Sequence, residues 1–306
     1  DLVIDDDKDK TDDTRNINDV IIIELDNKVN NFNVRDSSND GILVALYRKK
    51  LYVPLEHCIT KYFEKFNSKL IREFVSHVMA GYVNKENKDT IKNILTLALN
   101  KCTVDIINAK DSLGRTLIMS AIDNSQFLGT LLRTNMVDLT STNIYGLNPL
   151  MYAVKKCQYV YMHKILKHIT ENLDDDRKIF ILNQKNKIQE NILHLAIGMN
   201  PANNFVIKML YDTNLIDINS FNNDGKTPLY LAIETNNAEI VEMFLEHPKI
   251  DVNIPDNFGK TPIMIAYENN KYDMIFMLLN RNDLDINYKN RSIQCYNKMH
   301  TEASHS

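Results

Sequence analysis

Apolar positions along the chain recur mostly at helical spacing. Between Pro228 and Leu245 two short stripes stand out, Leu229, Ala232 and Ile233, then Ile240, Val241, Phe244 and Leu245, and a polar turn separates them. They predict a pair of short amphipathic helices. Neither helix could bury its apolar side alone, so neighbours must stack on both sides. From Ile42 to Asn100 the same spacing predicts four helices, near 42–52, 54–66, 69–82 and 89–100, with Ile59, Tyr62, Phe63 and Phe66 as one such stripe. Val20 to Leu25 is different. This compact run of mostly β-branched residues reads as a strand, followed by an Asn-rich loop through Asp40.

The polar residues between stripes carry turn and cap chemistry. In Asn222-Asn-Asp-Gly225-Lys-Thr227-Pro228-Leu229-Tyr-Leu-Ala232, Gly225 supplies the positive φ of a tight turn. Thr227 is placed to cap the next helix, and Pro228 suits its first turn, where no backbone donor is lost. The stretch closes on Asp251-Val252-Asn253, and related stretches start at Asp111, Asn143, Asn186 and Asp256. These starts are nearly evenly spaced, except for one long step from Asn143 to Asn186. The long step has its surplus between Lys164 and Asn186, where Glu171 to Lys178 reads as an insertion and Ile179 to Leu182 as an extra apolar turn. Either a tolerated surface insertion or a private contact surface accounts for it. In the stretch from Asn186, Gln189 stands in place of the turn glycine, which predicts a different turn there.

The segment from Asn222 to Asn253 closely resembles an ankyrin repeat, whose pattern is Asp-x-x-Gly-x-Thr-Pro-Leu-His-x-Ala, an apolar second helix, then Asp-Val-Asn, with a period of about 33 residues. Asn222 stands for the first Asp and Tyr230 for the His. Five stretches share the pattern from Asp111 to Asn290, with Leu117 where the first has no proline. The resemblance implies an all-α ankyrin-repeat solenoid of stacked helix pairs with β-hairpin loops. The division expected is an acidic arm and Asn-rich loop over 1–40, degenerate capping repeats over 41–110, repeats proper over 111–290, and a tail or frayed cap over 291–306. Asp105-Ile-Ile-Asn108 approximates the family's Asp-Val-Asn, which favours degenerate repeats over a separate domain before Asp111.

Composition narrows the function. The chain has 306 residues, a formal net charge of -4 and 44% hydrophobic residues, values of a folded protein. Residues 1–19 hold eight aspartates against three basic residues and read as a solvated arm, or as an acidic decoy for a basic partner. Cys58, Cys102, Cys157 and Cys295 lie far apart, so neither a zinc site nor a disulfide framework is indicated, and a reducing, cytoplasmic compartment is the simpler reading. No apolar run reaches the roughly 18 residues of a membrane span. The chain starts at Asp1 rather than methionine, which reads as a fragment or processed product.

Candidate chemistry is sparse. His57 and Cys58 are adjacent on a predicted helix and point in different directions, so a catalytic pair is disfavoured and Cys58 is expected in the core. His194 occupies the consensus His position, where hydrogen bonding within the fold is the default; Met119, Met151 and Met264 fill the same slot elsewhere, against a metal set. No nucleotide, zinc-hydrolase or serine-hydrolase motif occurs, and no cofactor is expected. The basic clusters Arg48-Lys49-Lys50 and Lys155-Lys156 do not form a stripe with interleaved aromatics, so nucleic acid is disfavoured.

The family resemblance implies a non-catalytic scaffold that binds another protein with hairpin tips and inner helices. Carried over position by position, it nominates Leu113, Arg115, Ile144, Tyr145, Leu147, Asp224, Lys226, Glu234, Phe258, Lys260 and Glu268. The third repeat adds Lys187, Ile188 and Glu190, on a weaker register. Exposed apolar side chains at such tips would mark an interaction surface. An alternative is a substrate-recruiting fragment of a larger enzyme, or of a microbial effector acting on host proteins in the host cytosol. Asn253 and Asn287 match the Leu-x5-Asp-[Val/Ile]-Asn spacing that asparaginyl hydroxylases accept in ankyrin proteins, and a structural role for the same asparagines is the competing reading.

Overall fold

The computed structural model describes residues 13–27, 41–80, 87–124, 127–199 and 203–287. Most of the Asn-rich loop, the first part of the acidic arm, the tail over 291–306 and Cys295 lie outside the described residues. The chain divides into two compact units, 1–144 and 145–306.

In the first unit, α1 (Asp13–Asn27) packs on α3 (Tyr52–Tyr62). Helices α2 (Ile42–Arg48), α4 (Ser68–Ala80) and α7 (Leu117–Asn124) lie in one row, and α3, α5 (Lys88–Lys101) and α8 (Leu128–Leu132) in another. The short α6 (Val104–Asn108) sits against α4. Leu55, Ile59, Phe74, Val75, Leu95 and Leu99 are buried between the rows. The four helices expected between Ile42 and Asn100 are present, with the second ending in a 3-10 turn over Phe63–Lys65.

The strand expected at Val20 to Leu25 is instead part of α1. Ile21 and Leu25, one helical turn apart, are both buried, whereas Val20 and Ile23 face outward. A stripe at i and i+4 packed on α3 outweighs the β preference of branched residues, which reflects packing context more than backbone. At its end the Asp26 carboxylate accepts from Lys61, His57 and Tyr62 of α3 at 2.8, 2.8 and 2.5 Å. The Lys61 ammonium, with the Tyr62 and His57 donors, holds that carboxyl well below the usual carboxylate range.

The second unit repeats one motif. Helices α9 (Pro149–Lys155), α12 (Ile192–Ile197), α14 (Pro228–Glu234) and α16 (Pro262–Glu268) form an inner row. Each is paired with an outer helix, α10 (Tyr159–Asn172), α13 (Asn204–Tyr211), α15 (Ala238–Leu245) or α17 (Tyr272–Leu279). Inner helices begin where the sequence places the caps. Asn148, Asn191 and Thr227 each accept a backbone N–H of the first turn through the side chain. No β-strand forms among the described residues. The hairpins are tight turns, each joined to its neighbour by single backbone bonds such as Lys187 N–H to Tyr145 O and Asn223 N–H to Ile188 O.

The long step between the second and third repeats is a helix in its own right, α11 (Asp175–Asn183), capped by Asp174, whose carboxylate accepts from Arg177 N–H at 2.9 Å. Ile181 and Leu182 are buried and Ile179 and Phe180 exposed, so the insertion is half core and half surface.

Candidate functional site: hairpin tips over an asparagine ladder

The tips are held from below. The side chain of Asn219 donates to Lys249 O at 2.7 Å and accepts from Asp251 N–H at 3.0 Å, and so clamps the loop of the next repeat. Asn253 does the same with Asp283 O and Asp285 N–H, both at 2.7 Å. Asn183, at the end of α11, bonds Leu215 O and Asp217 N–H, again both at 2.7 Å. Within the first unit, Asn108 bonds Met136 O and Asp138 N–H at 2.8 Å. The Asp-Val-Asn pattern points to Asn108, Asn219 and Asn253 but not to Asn183. A signal for it is present all the same: each of these asparagines precedes a hairpin start, Asp111, Asn186, Asn222 or Asp256, by three residues. Asn253, which matches the hydroxylase spacing, therefore holds a ladder position, and Asn287, which also matches it, is its counterpart one repeat on in sequence.

Each hairpin is braced by its first residue. The side-chain oxygen of Asp111, Asn186, Asn222 or Asp256 accepts backbone N–H groups two and four residues on. The turn residue takes positive φ, +77° at Gly225, where a Cβ would lie 2.6 Å from the Asn257 nitrogen. At Gln189 the expected different turn is absent. Its φ is +61° and its N–H donates to Asn186 O at 3.0 Å, as Gly225 N–H does to Asn222 O at 2.9 Å. Gln189 is held in the glycine conformation by the same bracing, because the asparagine and the neighbouring hairpin fix the loop irrespective of the turn residue.

Above this base the nominated residues separate into three kinds. Tyr145 and Phe258 are open tips, 63% and 68% exposed, and Ile188 is exposed beside Tyr145. Lys187, whose N–H bonds Tyr145 O, is also exposed. In the first unit Leu113 and Ile144 are exposed and joined by Ile144 N–H to Leu113 O at 3.1 Å. Asp224 is an exposed polar tip.

The second kind is a recurring ion pair eight residues apart, linking the hairpin to the end of its inner helix. Lys226 Nζ lies 2.9 Å from Glu234, Lys260 Nζ 2.6 Å from Glu268, and the Arg115 guanidinium 3.1 Å from Asp123. Arg115 also meets Asp111 at 2.9 Å. These charges are spent on one another.

The third kind is a correction. Leu147 occupies the same position as Arg115, Lys226 and Lys260, but is 6% exposed. An apolar side chain gains by folding down onto the inner helix, whereas a charged one reaches along the surface to its partner. Leu147 is thus core, and Lys155, eight residues on where the other repeats have an acid, is exposed.

The first unit also has a polar cleft of about 390 Å³, lined by Arg72, Glu73, Ser76, His77, Asp111, Arg115, Ser120 and Asp123. Its cations are engaged: Arg72 donates to Ala109 O and Arg115 O, both at 3.1 Å, and Arg115 pairs with Asp111 and Asp123; the lining His77 accepts at Nε2 from Arg48, outside the cleft, at 2.7 Å.

The residues weighed for catalysis are structural. Cys58 is fully buried and its thiol is pushed up to about 12, so it is no nucleophile near neutral pH. His57 turns to Asp26 instead. His194 is fully buried; its Nε2–H donates to Lys226 O at 2.9 Å and its Nδ1 accepts from Asn191 N–H at 3.3 Å. Burial pushes it down to about 4. In the following repeat Tyr230 does this stitching, donating to the Asp256 carboxylate at 2.8 Å.

A repeated pair of short helices, a braced hairpin and an asparagine rung suggest one family, and a family model for ankyrin repeats matches residues 162–256 and 193–290. Residues 162–290 are ankyrin repeats. Solved structures agree on the fold: an ankyrin repeat domain from Acinetobacter baumannii AYE has a TM-score of 0.52 at 20% identity, covering 70% of this chain and 97% of its own. A chain from a predatory endopeptidase of Bdellovibrio bacteriovorus in complex with an immunity protein has a TM-score of 0.50 at 20% identity, covering 69% of this chain and 97% of its own. No curated protein matches the sequence. Ankyrin repeats are binding modules, so the chain carries a protein-interaction fold. No helix among the described residues is long and apolar enough to cross a membrane.

Proposed function

We propose that this ankyrin chain is a non-catalytic scaffold that recognises a partner protein through the hairpin tips of its second unit, with Tyr145, Ile188 and Phe258 as the apolar anchors. The observation that carries the reading is that these side chains are exposed on hairpins whose backbone is fixed by hydrogen bonds to neighbouring turns. Exposed anchors on a rigid base lose little conformational entropy on binding, which is what a recognition surface requires. The pairs Lys226–Glu234 and Lys260–Glu268 flank them as a neutral, polar rim. Exposed Lys187, whose N–H bonds Tyr145 O, adds positive charge beside that tip, which favours a partner segment with acidic groups around an apolar one.

Affinity capture from a eukaryotic lysate tests this, comparing the parent chain with a Tyr145→Ala, Ile188→Ala, Phe258→Ala variant. All three sites are exposed, so circular dichroism is expected to show unchanged helicity. A protein held by the parent and lost by the variant supports the reading; equal retention by both contradicts it and moves the contact to α11 or to the first unit.

A further inference from the structure

Helix α1 is lightly held for its length. Among its described side chains Ile21 and Leu25 are buried, whereas α5, of similar length, buries Ile91, Ile94, Leu95, Ala98 and Leu99. Ile17, Val20 and Ile23 face water instead. A helix of 15 residues is marginal in water by itself, so these few contacts on α3 decide whether α1 stays docked. The receiving end is built by α3 alone. His57 and Tyr62 meet edge to face with ring centroids 5.8 Å apart, and the Lys61 ammonium lies 5.1 Å from the Tyr62 ring centre, so the three donors to Asp26 also brace one another. Cys58, in the same turns of α3, is fully buried, and the negative charge of Asp26 acts on its thiol, which places it close to that end of α1.

We propose that α3 carries a docking groove for a short amphipathic helix, which α1 fills as an internal ligand and vacates for a partner helix of the same chemistry. That chemistry is read from the occupant: apolar side chains at i and i+4, Ile21 and Leu25, and a carboxylate at i+5, Asp26. The apolar pair supplies affinity, as in other helix-in-groove contacts, and the carboxylate fixes the register because it must meet three donors at once. The Asp26 side chain keeps 35% of its surface in solvent, so a competing carboxylate reaches the same donors from outside. Entry must overcome the tethered α1, present at a local concentration on the order of millimolar. The groove lies in the first unit and rests on none of the tip residues of the second.

Thiol labelling of the full chain tests the proposal, with alkylation at each cysteine read from peptide masses. Cys58 reports on the groove, and Cys102, buried at the end of α5, is the reference for loosening of the whole unit. Leu25→Asp should free α1 and speed labelling of Cys58 about tenfold or more with Cys102 unchanged, as a local opening does. A synthetic peptide of residues 13–27 at roughly millimolar concentration should restore the protection of Cys58, and the same peptide carrying Asp26→Asn should not. Competition is read from the peptide carrying a fluorophore, which should bind the Leu25→Asp chain about tenfold more tightly than the parent. Equal acceleration at both thiols in a chain that keeps its helicity overturns the proposal, as does an unchanged rate at Cys58. No protection by the peptide, protection by both peptides alike, or equal binding to the two chains overturns it as well. Should Leu25→Asp unfold the unit by circular dichroism, Asp26→Ala, at an exposed position, replaces it with the same expectations.

Discussion

At the scale of single residues, the account rests on side chains held in conformations or protonation states that only the fold tolerates. Gln189 sits at positive φ, which costs a residue with a Cβ roughly 1 kcal/mol relative to glycine. Gln189→Gly is therefore expected to raise stability by about 1 kcal/mol in urea unfolding, less whatever glycine gains in the unfolded chain. The capping threonines offer a paired comparison. Thr227 Oγ1 accepts from Tyr230 N–H, whereas the buried Thr261 hydroxyl finds no partner among the described residues. Thr227→Val should cost about 1 kcal/mol, and Thr261→Val should be close to neutral or stabilising, because it removes only an unmet hydroxyl.

His194 gives a pH signature. Its folded pKa of about 4 is below its ordinary value, so between pH 4 and 6.5 the unfolded chain binds the proton and the folded chain does not. Its contribution is full above pH 6.5 and falls as pH drops towards 4, by an amount on the order of 3 kcal/mol. Unfolding free energy measured across that range should fall more steeply in the parent than in His194→Gln. The roles of Gly225, Thr227 and Pro228 were legible in sequence because each depends only on residues within a turn of itself. The burial of Leu147 was not, since it depends on whether a side chain finds a charge eight residues away or an apolar surface beneath it.

At the scale of elements, rungs and pairs that look alike should differ in energy. The Asn219 amide makes two bonds to backbone groups of the next repeat, so Asn219→Ala is expected to cost about 2 kcal/mol and to lower the melting temperature. Lys226→Met breaks an ion pair in which Glu234 is well exposed, and should cost at most about 1 kcal/mol, read in the same melts. Repeats with the Gly-x-Thr-Pro pattern were legible because their signature is local and recurs. Helix α11 was legible only as surplus length; that its last residue, Asn183, is a rung becomes visible when the hairpin starts are aligned and an asparagine is found three residues before four of the five, the start at Asn143 having Thr140 there. The run from Val20 to Leu25 misled because branched residues suit a strand, while the partner that makes them a helix, α3, lies well further along the chain.

At the scale of the whole molecule, two units of stacked helix pairs present different surfaces. The first unit has a cleft lined by charged side chains, in which Arg115 pairs with Asp111 and Asp123 and Arg72 donates to backbone carbonyls, and the second has apolar tips on a braced base. The period and the turn signature carried the fold class from sequence, since stacking demands both. They could not rank the tips, because exposure is set by the neighbouring hairpins. The account holds that recognition is concentrated at Tyr145, Ile188 and Phe258, and the most direct measurement is the dissociation constant of a captured partner for single variants. Tyr145→Ala or Phe258→Ala should weaken binding tenfold or more, about 1.4 kcal/mol, while Val160→Ala, equally exposed on outer helix α10, should change it by less than about twofold. Equal effects at all three sites, or a loss only at Val160, would contradict the account.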